Sequence, residues 1–353
     1  MTGMSLELDG SYKGANPSDP ARIHQLGPNR FRVHPYSEDG DGNYKFALSV
    51  RVINHAPEPQ PLSLEVDWED LQYMGARRFF HVGRGDDWQF LPAEVEGTVA
   101  RVRYDAPPGT SYVGLCPSYF LGDYEVFAAR LPQLGYERRV AGHSEQGRDI
   151  EAFSLGQGPT PVLVTGRFHP YETASSFCLE GLMEWLASPA GRELRERFTF
   201  TIVPMMNPDG VSLGLCKRTS QGGVDLEHEG AYGGDSTARA LLDLMEEVAP
   251  AGFLDIHGWM HFDEDGAFYL DKGLVERFQR ELESSPVFAG NRLKTIDVSG
   301  QPYPGWPQTY CARRYGAHAL EVSYRWPSRT VAMMRATGGP TLLAFCRALE
   351  AVR

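Results

Sequence analysis

Hydrophobic and polar positions change rhythm once along this chain, near residue 125. From Ser5 to about Tyr124, apolar residues come in short alternating or continuous runs closed by turn residues. Examples are Tyr44-Lys45-Phe46-Ala47-Leu48-Ser49-Val50-Arg51-Val52, Leu62-Ser63-Leu64-Glu65-Val66 and Thr98-Val99-Ala100-Arg101-Val102-Arg103-Tyr104. Short segments of period two predict an antiparallel β-sandwich, and nothing in this stretch carries a helical period. From about Phe127, apolar strand-like runs at 161–165, 198–204, 252–256 and 318–324 alternate with helical patterns at 174–187, 236–248, 272–284 and 329–351. That alternation predicts an α/β domain with a mixed, mostly parallel sheet flanked by helices. The expected organisation is an N-terminal β-sandwich domain at 1–125 and a second domain at 126–353. Two domains suit a chain of 353 residues, longer than a single core usually grows. The polar, glycine-rich segment from Thr219 to Asp235 reads as a long loop.

Sites in such sheets gather at the carboxyl ends of the strands, and chemistry is found there. The run Pro161-Val162-Leu163-Val164 leads into Gly166-Arg167-Phe168-His169-Pro170-Tyr171-Glu172, which delivers His169 and Glu172 into one turn. Imidazole nitrogen and carboxylate oxygen are zinc donors, and a catalytic zinc takes three protein ligands and leaves a position open. His257, directly after Phe253-Leu254-Asp255-Ile256 and before Gly258, is the candidate third ligand, placed where the sheet is expected to stop. An isolated histidine is more often a hydrogen-bonded core residue; its place after a buried strand favours a ligand. His261 reads as a loop residue near the same site. Glu321 is a lone charge in Ala319-Leu320-Glu321-Val322-Ser323, which costs free energy unless it is paired or functional. It is the candidate general base and acid, although an outward-facing strand glutamate has the same periodicity. Arg218, after Asn207-Pro208-Asp209-Gly210, is the candidate cation for a developing oxyanion.

Taken in order, His169, Glu172, Asn207-Pro208-Asp209-Gly210, Arg218, Asp225-Leu226, His257 and Glu321 resemble the zinc carboxypeptidases of the carboxypeptidase A type, in their cytosolic branch. Gly142-His143-Ser144-Glu145-Gln146-Gly147-Arg148 is similar to that family's Ser-x-x-Gly-Arg segment, and an N-terminal β-domain is that branch's own feature. The resemblance implies one zinc ion held by His169, Glu172 and His257. It also implies Glu321 as general base and acid, Arg218 at the oxyanion, and a flexible tyrosine at the substrate, either Tyr303 or Tyr310.

One departure matters. The family's Asp-Leu-Asn-Arg reads Asp225-Leu226-Glu227-His228 here, so the Asn-Arg pair that grips a terminal carboxylate is replaced. Glu227 repels a carboxylate at close range, and His228 is a weaker clamp than a bidentate arginine. Either the substrate has no free α-carboxylate and Glu227 recognises it, or another basic group such as Arg313 or Arg314 takes the carboxylate. A third possibility is a zinc site kept for structure or interaction. Tyr171, where the family has glycine, is expected to pack on the sandwich. The stretch Gly300 to Tyr310 is aromatic and neutral where that branch is basic, which speaks against polyglutamate substrates.

Composition adds bounds. At 42% hydrophobic and 23% charged the chain is an ordinary globular one, and its net charge of −12 argues against nucleic acid or an anionic membrane as partner. The cysteines number five, spread without a Cys-x-x-Cys pair, and no basic-then-apolar leader opens the chain, so a reducing, cytoplasmic setting is expected. The expectation is zinc-dependent hydrolysis of a peptide or small amide, the alternatives being a deacylase acting on a small modified amino acid or a non-catalytic zinc-bearing module.

Overall fold

A computed structural model describes residues 6–38, 45–71, 74–75, 77–260, 264–288, 291–300 and 303–353. The first third forms two five-stranded sheets. One runs in the order Leu6–Asp9, Ser49–Asn54, Gly109–Gly114, Phe79–Arg84, Asp87–Pro92, with every pairing antiparallel. The other runs Ile23–Gly27, Arg30–Val33, Gln60–Asp67, Val99–Ala106, Glu94–Glu96. Here the pair Arg30–Val33 and Gln60–Asp67 is parallel, a departure from the all-antiparallel expectation. Alternation explains the packing. Leu62, Leu64 and Val66 from one sheet and Val50, Val52, Phe80 and Val82 from the other are buried in one core with Trp68. The inner faces are thus apolar and interleaved, as in sandwiches generally.

The second part is an eight-stranded sheet in the order Glu137–His143, Asp149–Gly156, Phe198–Val203, Thr160–Gly166, Gly252–Trp259, His318–Arg325, Asp265–Tyr269, Leu293–Asp297. Phe198–Val203, Thr160–Gly166, Gly252–Trp259 and His318–Arg325 are mutually parallel, and the edge pair Glu137–His143 with Asp149–Gly156 is antiparallel. Helices Thr173–Ala187, Lys272–Glu283 and Val331–Val352 share one core with Val162, Val164, Leu254 and Leu320. Helices Ser236–Val248 and Pro307–Tyr315 cover the other face, where Leu163, Phe253 and Ala319 point. The helix Ser236–Val248 shows the logic: Asp235 caps it by accepting from the Ala238 N–H at 2.8 Å, and Ala238, Leu241, Leu244 and Met245 make one buried stripe. Two predicted boundaries move. The strand beginning at Gly252 runs to Trp259, and the segment 219–235 contains the helical turn Leu226–Glu229 capped by Asp225. No helix among the described residues is long and apolar enough to cross a membrane.

The two parts meet at His81. Its ring lies 5.7 Å from that of Trp326, and its Nδ1 stands 2.8 Å from the Leu115 carbonyl. Burial pushes this imidazole from 6.5 down to about 4, outweighing the carbonyl's pull in the other direction. A depressed histidine contributes stability that is complete above 6.5 and lost as pH falls through about 4, because the unfolded chain takes the proton first. The loss amounts to roughly 3 kcal/mol at most. In urea titrations from pH 7.5 to 4, His81→Asn is expected to lose less stability than wild type. Parallel losses in the two proteins would exclude this assignment.

Candidate metal centre and active site

After Gly166 the chain turns through Arg167 at φ 61°, a left-handed backbone that a β-carbon resists. Arg167 is 2% exposed, and its guanidinium donates to the carbonyls of Pro170 and Tyr119 and to Ser176 Oγ at 2.9, 3.0 and 2.6 Å. A strained residue held on three sides fixes the turn that follows. The Glu172 N–H donates to the His169 carbonyl at 3.2 Å, and the helix Thr173–Ala187 starts beyond.

His169 Nδ1 lies 2.8 Å from Glu172 Oε1, and His257 Nδ1 lies 2.8 Å from Glu172 Oε2. All three side chains are buried. The other ring nitrogens are committed elsewhere. His257 Nε2 is 2.9 Å from Asp255 Oδ2, and His169 Nε2 is 3.2 Å from both Asp225 Oδ1 and Glu227 Oε2. Carboxylates only accept, so each ring faces an acceptor at both nitrogens, and with a cation in place of the proton at Nδ1 each ring would keep its proton at Nε2. Gly258 completes the frame: its N–H donates to Glu172 Oε2 at 3.0 Å, and a β-carbon there would press within 3.0 Å of Glu172 Cβ.

Two imidazoles and a carboxylate whose ligand atoms lie within 4.8 Å of one another could hold a metal ion, and their donor types are those zinc takes. The electrostatics agree. Burial opposes charge on His169, yet Glu172 and Asp225 lift it to about 9. Burial likewise opposes charge on His257, which Asp255 and Glu172 hold well above its usual value. Burial would raise Glu172, but the two imidazoles push it far below the usual carboxylate range. The centre is built to hold positive charge.

His257 departs from the sequence expectation in one respect: it lies inside its strand, not past the end, since pairing with His318–Arg325 continues to Trp259. Asp255 and His257 therefore share a face, and Glu321 stands beside Asp255 in register. Glu321 is 2% exposed, which removes the outward-facing alternative. Gln308 joins the pieces. Its Nε2 donates to Glu321 Oε2 at 3.1 Å and to Asp255 Oδ2 at 3.2 Å, while Thr165 Oγ1 donates to Asp255 Oδ1 at 2.7 Å. Burial, then the nearby charge of Glu227, pushes Glu321 well above an ordinary carboxyl. A carboxyl held above its ordinary range suits a group that takes and returns a proton.

The wall facing this centre is built by the Asn-Pro-Asp-Gly segment. Asn207 caps the helix Pro208–Leu213 and donates to the Phe168 and Arg218 carbonyls at 2.9 and 3.1 Å, tying the ligand turn to the Arg218 segment. Gly210 is required there, because a β-carbon would meet the Arg218 carbonyl oxygen at 2.6 Å. Asp209 accepts from Ser144 Oγ and the Gln146 N–H at 2.8 Å each, which accounts for the Ser-x-x-Gly-Arg segment. From the N-terminal part, Glu38 accepts the N–H groups of Cys216, Lys217 and Arg218 at 2.9, 2.6 and 2.7 Å.

Arg218 donates to the Gly223 carbonyl at 2.6 Å and pairs with Glu229 at 3.2 Å. Lys217 Nζ is 3.9 Å from Asp225 Oδ2. His228 gives its Nδ1 to Asp225 Oδ2 at 3.0 Å, so it is engaged by a carboxylate already. Tyr303 stacks on Trp306 at 4.6 Å and stands beside His228, whereas Tyr310 packs with Tyr315 in the layer under the sheet. Arg314 is exposed opposite Glu246, and Arg313 is exposed on the same helix, so the structure does not bring this pair to the site as an anion clamp. Tyr171 packs on Phe46 of the sandwich core. His261 lies outside the described residues.

The profile of the zinc carboxypeptidase family matches residues 125–258. The chain carries a zinc carboxypeptidase domain. By that match and by its fold the chain is zinc metallocarboxypeptidase-like. It is 40% identical to mouse cytosolic carboxypeptidase 6 over 99 residues, which cover 25% of this chain and only 18% of that protein. An uncharacterised protein of Zymomonas mobilis is 28% identical over 78% of this chain and 74% of its own length. The metallo-carboxypeptidase of Burkholderia cenocepacia has the same fold, with a TM-score of 0.82 at 19% identity, covering 99% of this chain and 100% of that one. Around the site, Asp255, Gln308, Arg167 and Glu38 escape the reading from sequence. Asp255 carries the same signal as Glu321, a lone charge in an apolar strand. Glu38 and Gln308 carry none, because their partners are distant in the chain, and Arg167 reads from sequence as an ordinary loop arginine.

Proposed function

We propose that this protein hydrolyses peptide or amide bonds with one zinc ion held by His169, Glu172 and His257. The observation that carries the reading is the convergence of both Nδ1 atoms on Glu172, with each Nε2 met by an aspartate. Bound there, zinc would polarise the scissile carbonyl and acidify an attacking water. Glu321 takes the proton from that water and delivers it to the leaving nitrogen, steered by Gln308. Arg218, turned from Glu229, or Lys217 beside it meets the developing oxyanion.

Glu227 and His228 replace a carboxylate clamp, and His228 is tied to Asp225, so the preferred substrate lacks a free α-carboxylate on its leaving side. The free, largely buried cysteines suit a cytoplasmic setting. Matched peptides ending in free acid or carboxamide, incubated with zinc-loaded protein and followed by mass, test this reading. Faster cleavage of the capped peptides is expected. Clear preference for free acids would leave a carboxypeptidase with an unusual clamp, and no turnover of any amide would favour a non-catalytic zinc module.

A further inference from the structure

The charge around the centre is lopsided. Glu172, Asp225, Glu227, Asp255 and Glu321 are all turned into one small region, linked through His169, His257 and Gln308. Against them stand the ammonium of Lys217 and the two charges of a bound zinc ion, while Arg218 is already matched by Glu229. The balance is negative even with a proton on Glu321.

Glu227 meets the edge of His169 and stands 3.8 Å from His228 Nδ1. Its Oε2 lies 3.2 Å from His169 Nε2, a position Asp225 Oδ1 shares at the same distance. Asp225 also caps the turn Leu226–Glu229 and receives His228 Nδ1, so the framework is complete without Glu227. Yet Glu227 is 8% exposed, and its charge is felt at Glu321 more than that of any other residue. Glu227 touches the ligand His169, and it is read as bordering the leaving side of the substrate.

A flat aromatic wall adjoins it. Trp306 and Tyr303 stack at 4.6 Å and 9°, and the His228 ring meets Trp306 edge-on at 5.7 Å. The wall is pinned to the Glu227 turn: Ala231 N–H donates to the Gly305 carbonyl at 2.9 Å, and Gly305 has no room for a β-carbon beneath the His228 carbonyl. Trp306 is buried under Tyr303, so the face offered beside the carboxylate is that of the exposed Tyr303, and a carboxylate beside an aromatic face is a site for an organic cation.

We propose that Glu227, with the Tyr303–Trp306 stack, selects substrates whose leaving amine carries a second positive charge and no carboxylate, such as a monoacylated diamine. This rests on the hydrolase reading above. Hydrolysis breaks the amide C–N bond, puts the water oxygen on the acyl carbon, and releases a carboxylic acid and the diamine with the water's hydrogen on its nitrogen.

The test is equilibrium binding, which does not depend on turnover. Three hydroxamates with one common linker end in an ammonium, a carboxamide or a carboxylate, and each is titrated calorimetrically into zinc-loaded protein. The ammonium compound is expected to bind at least about tenfold tighter than the carboxylate compound, given opposite-sign interactions with one nearby charge. In Glu227→Gln that gap should close. Equal binding, or tighter binding of the carboxylate, in wild type overturns the proposal without needing the variant. A gap unchanged in Glu227→Gln overturns the role of Glu227. If none of the three binds zinc-loaded protein, the metal-centre reading falls, and this proposal with it.

Discussion

Glu321→Gln is expected to bind one zinc as wild type does and to lose roughly 10³-fold or more in kcat for amide hydrolysis. The substitution is nearly isosteric. Gln308 Nε2 still finds an oxygen at that position, and Asp255 keeps its bonds from Thr165 and His257. What disappears is the carboxyl beside the metal-binding face that is proposed to take a proton and give it back. An amide can do neither. Zinc content by atomic absorption and turnover by mass should therefore separate cleanly. A variant with near-normal kcat would remove Glu321 from the chemistry, and one without zinc would recast it as a ligand.

His257→Ala is expected to behave in the opposite way, losing metal and activity together. Three donors meet at this centre, and the void left by one cannot be filled from Asp255, whose oxygens are taken by Thr165 and Gln308. Zinc affinity should fall further than the roughly 10–100-fold typical of losing an outer partner. Asp255→Asn supplies that comparison in the same protein, since it leaves the imidazole in place but loosens its orientation. Competition with a fluorescent zinc chelator orders the three proteins. Unchanged affinity in His257→Ala would place the metal elsewhere, for instance at the group of His169, Asp225, Glu227 and His228.

Much of this arrangement was legible along the chain. The alternation of apolar strands and helices announced the α/β layer because buried parallel strands need long apolar runs, and 161–165 and 318–324 show them. The ligand turn was legible because His169 and Glu172 are three residues apart, a purely local fact. His257 was legible as a histidine directly after an apolar run, and Glu321 as a lone charge inside one. The edge strands Glu137–His143 and Asp149–Gly156 were not, since a half-exposed pair mixes polar and apolar positions and resembles loop.

The supporting residues were hidden for another reason. Glu38 reaches the Lys217–Arg218 loop across about half the chain, and Gln308 meets Asp255 only once the helix Pro307–Tyr315 lies on the sheet. Their meaning is tertiary. His228 shows the reverse error: as a residue type it suggested a cationic clamp, but Asp225 at 3.0 Å had already claimed it.

The central claim is that this chain is a hydrolase that works through one zinc at His169, Glu172 and His257. The most direct measurement titrates metal-free protein with zinc and follows cleavage of a mixed amide library by mass at each step. Cleavage should be absent at the start, rise in proportion to added zinc, and level off at one equivalent. Cleavage that needs no zinc, or none at all with one equivalent bound, would contradict the account.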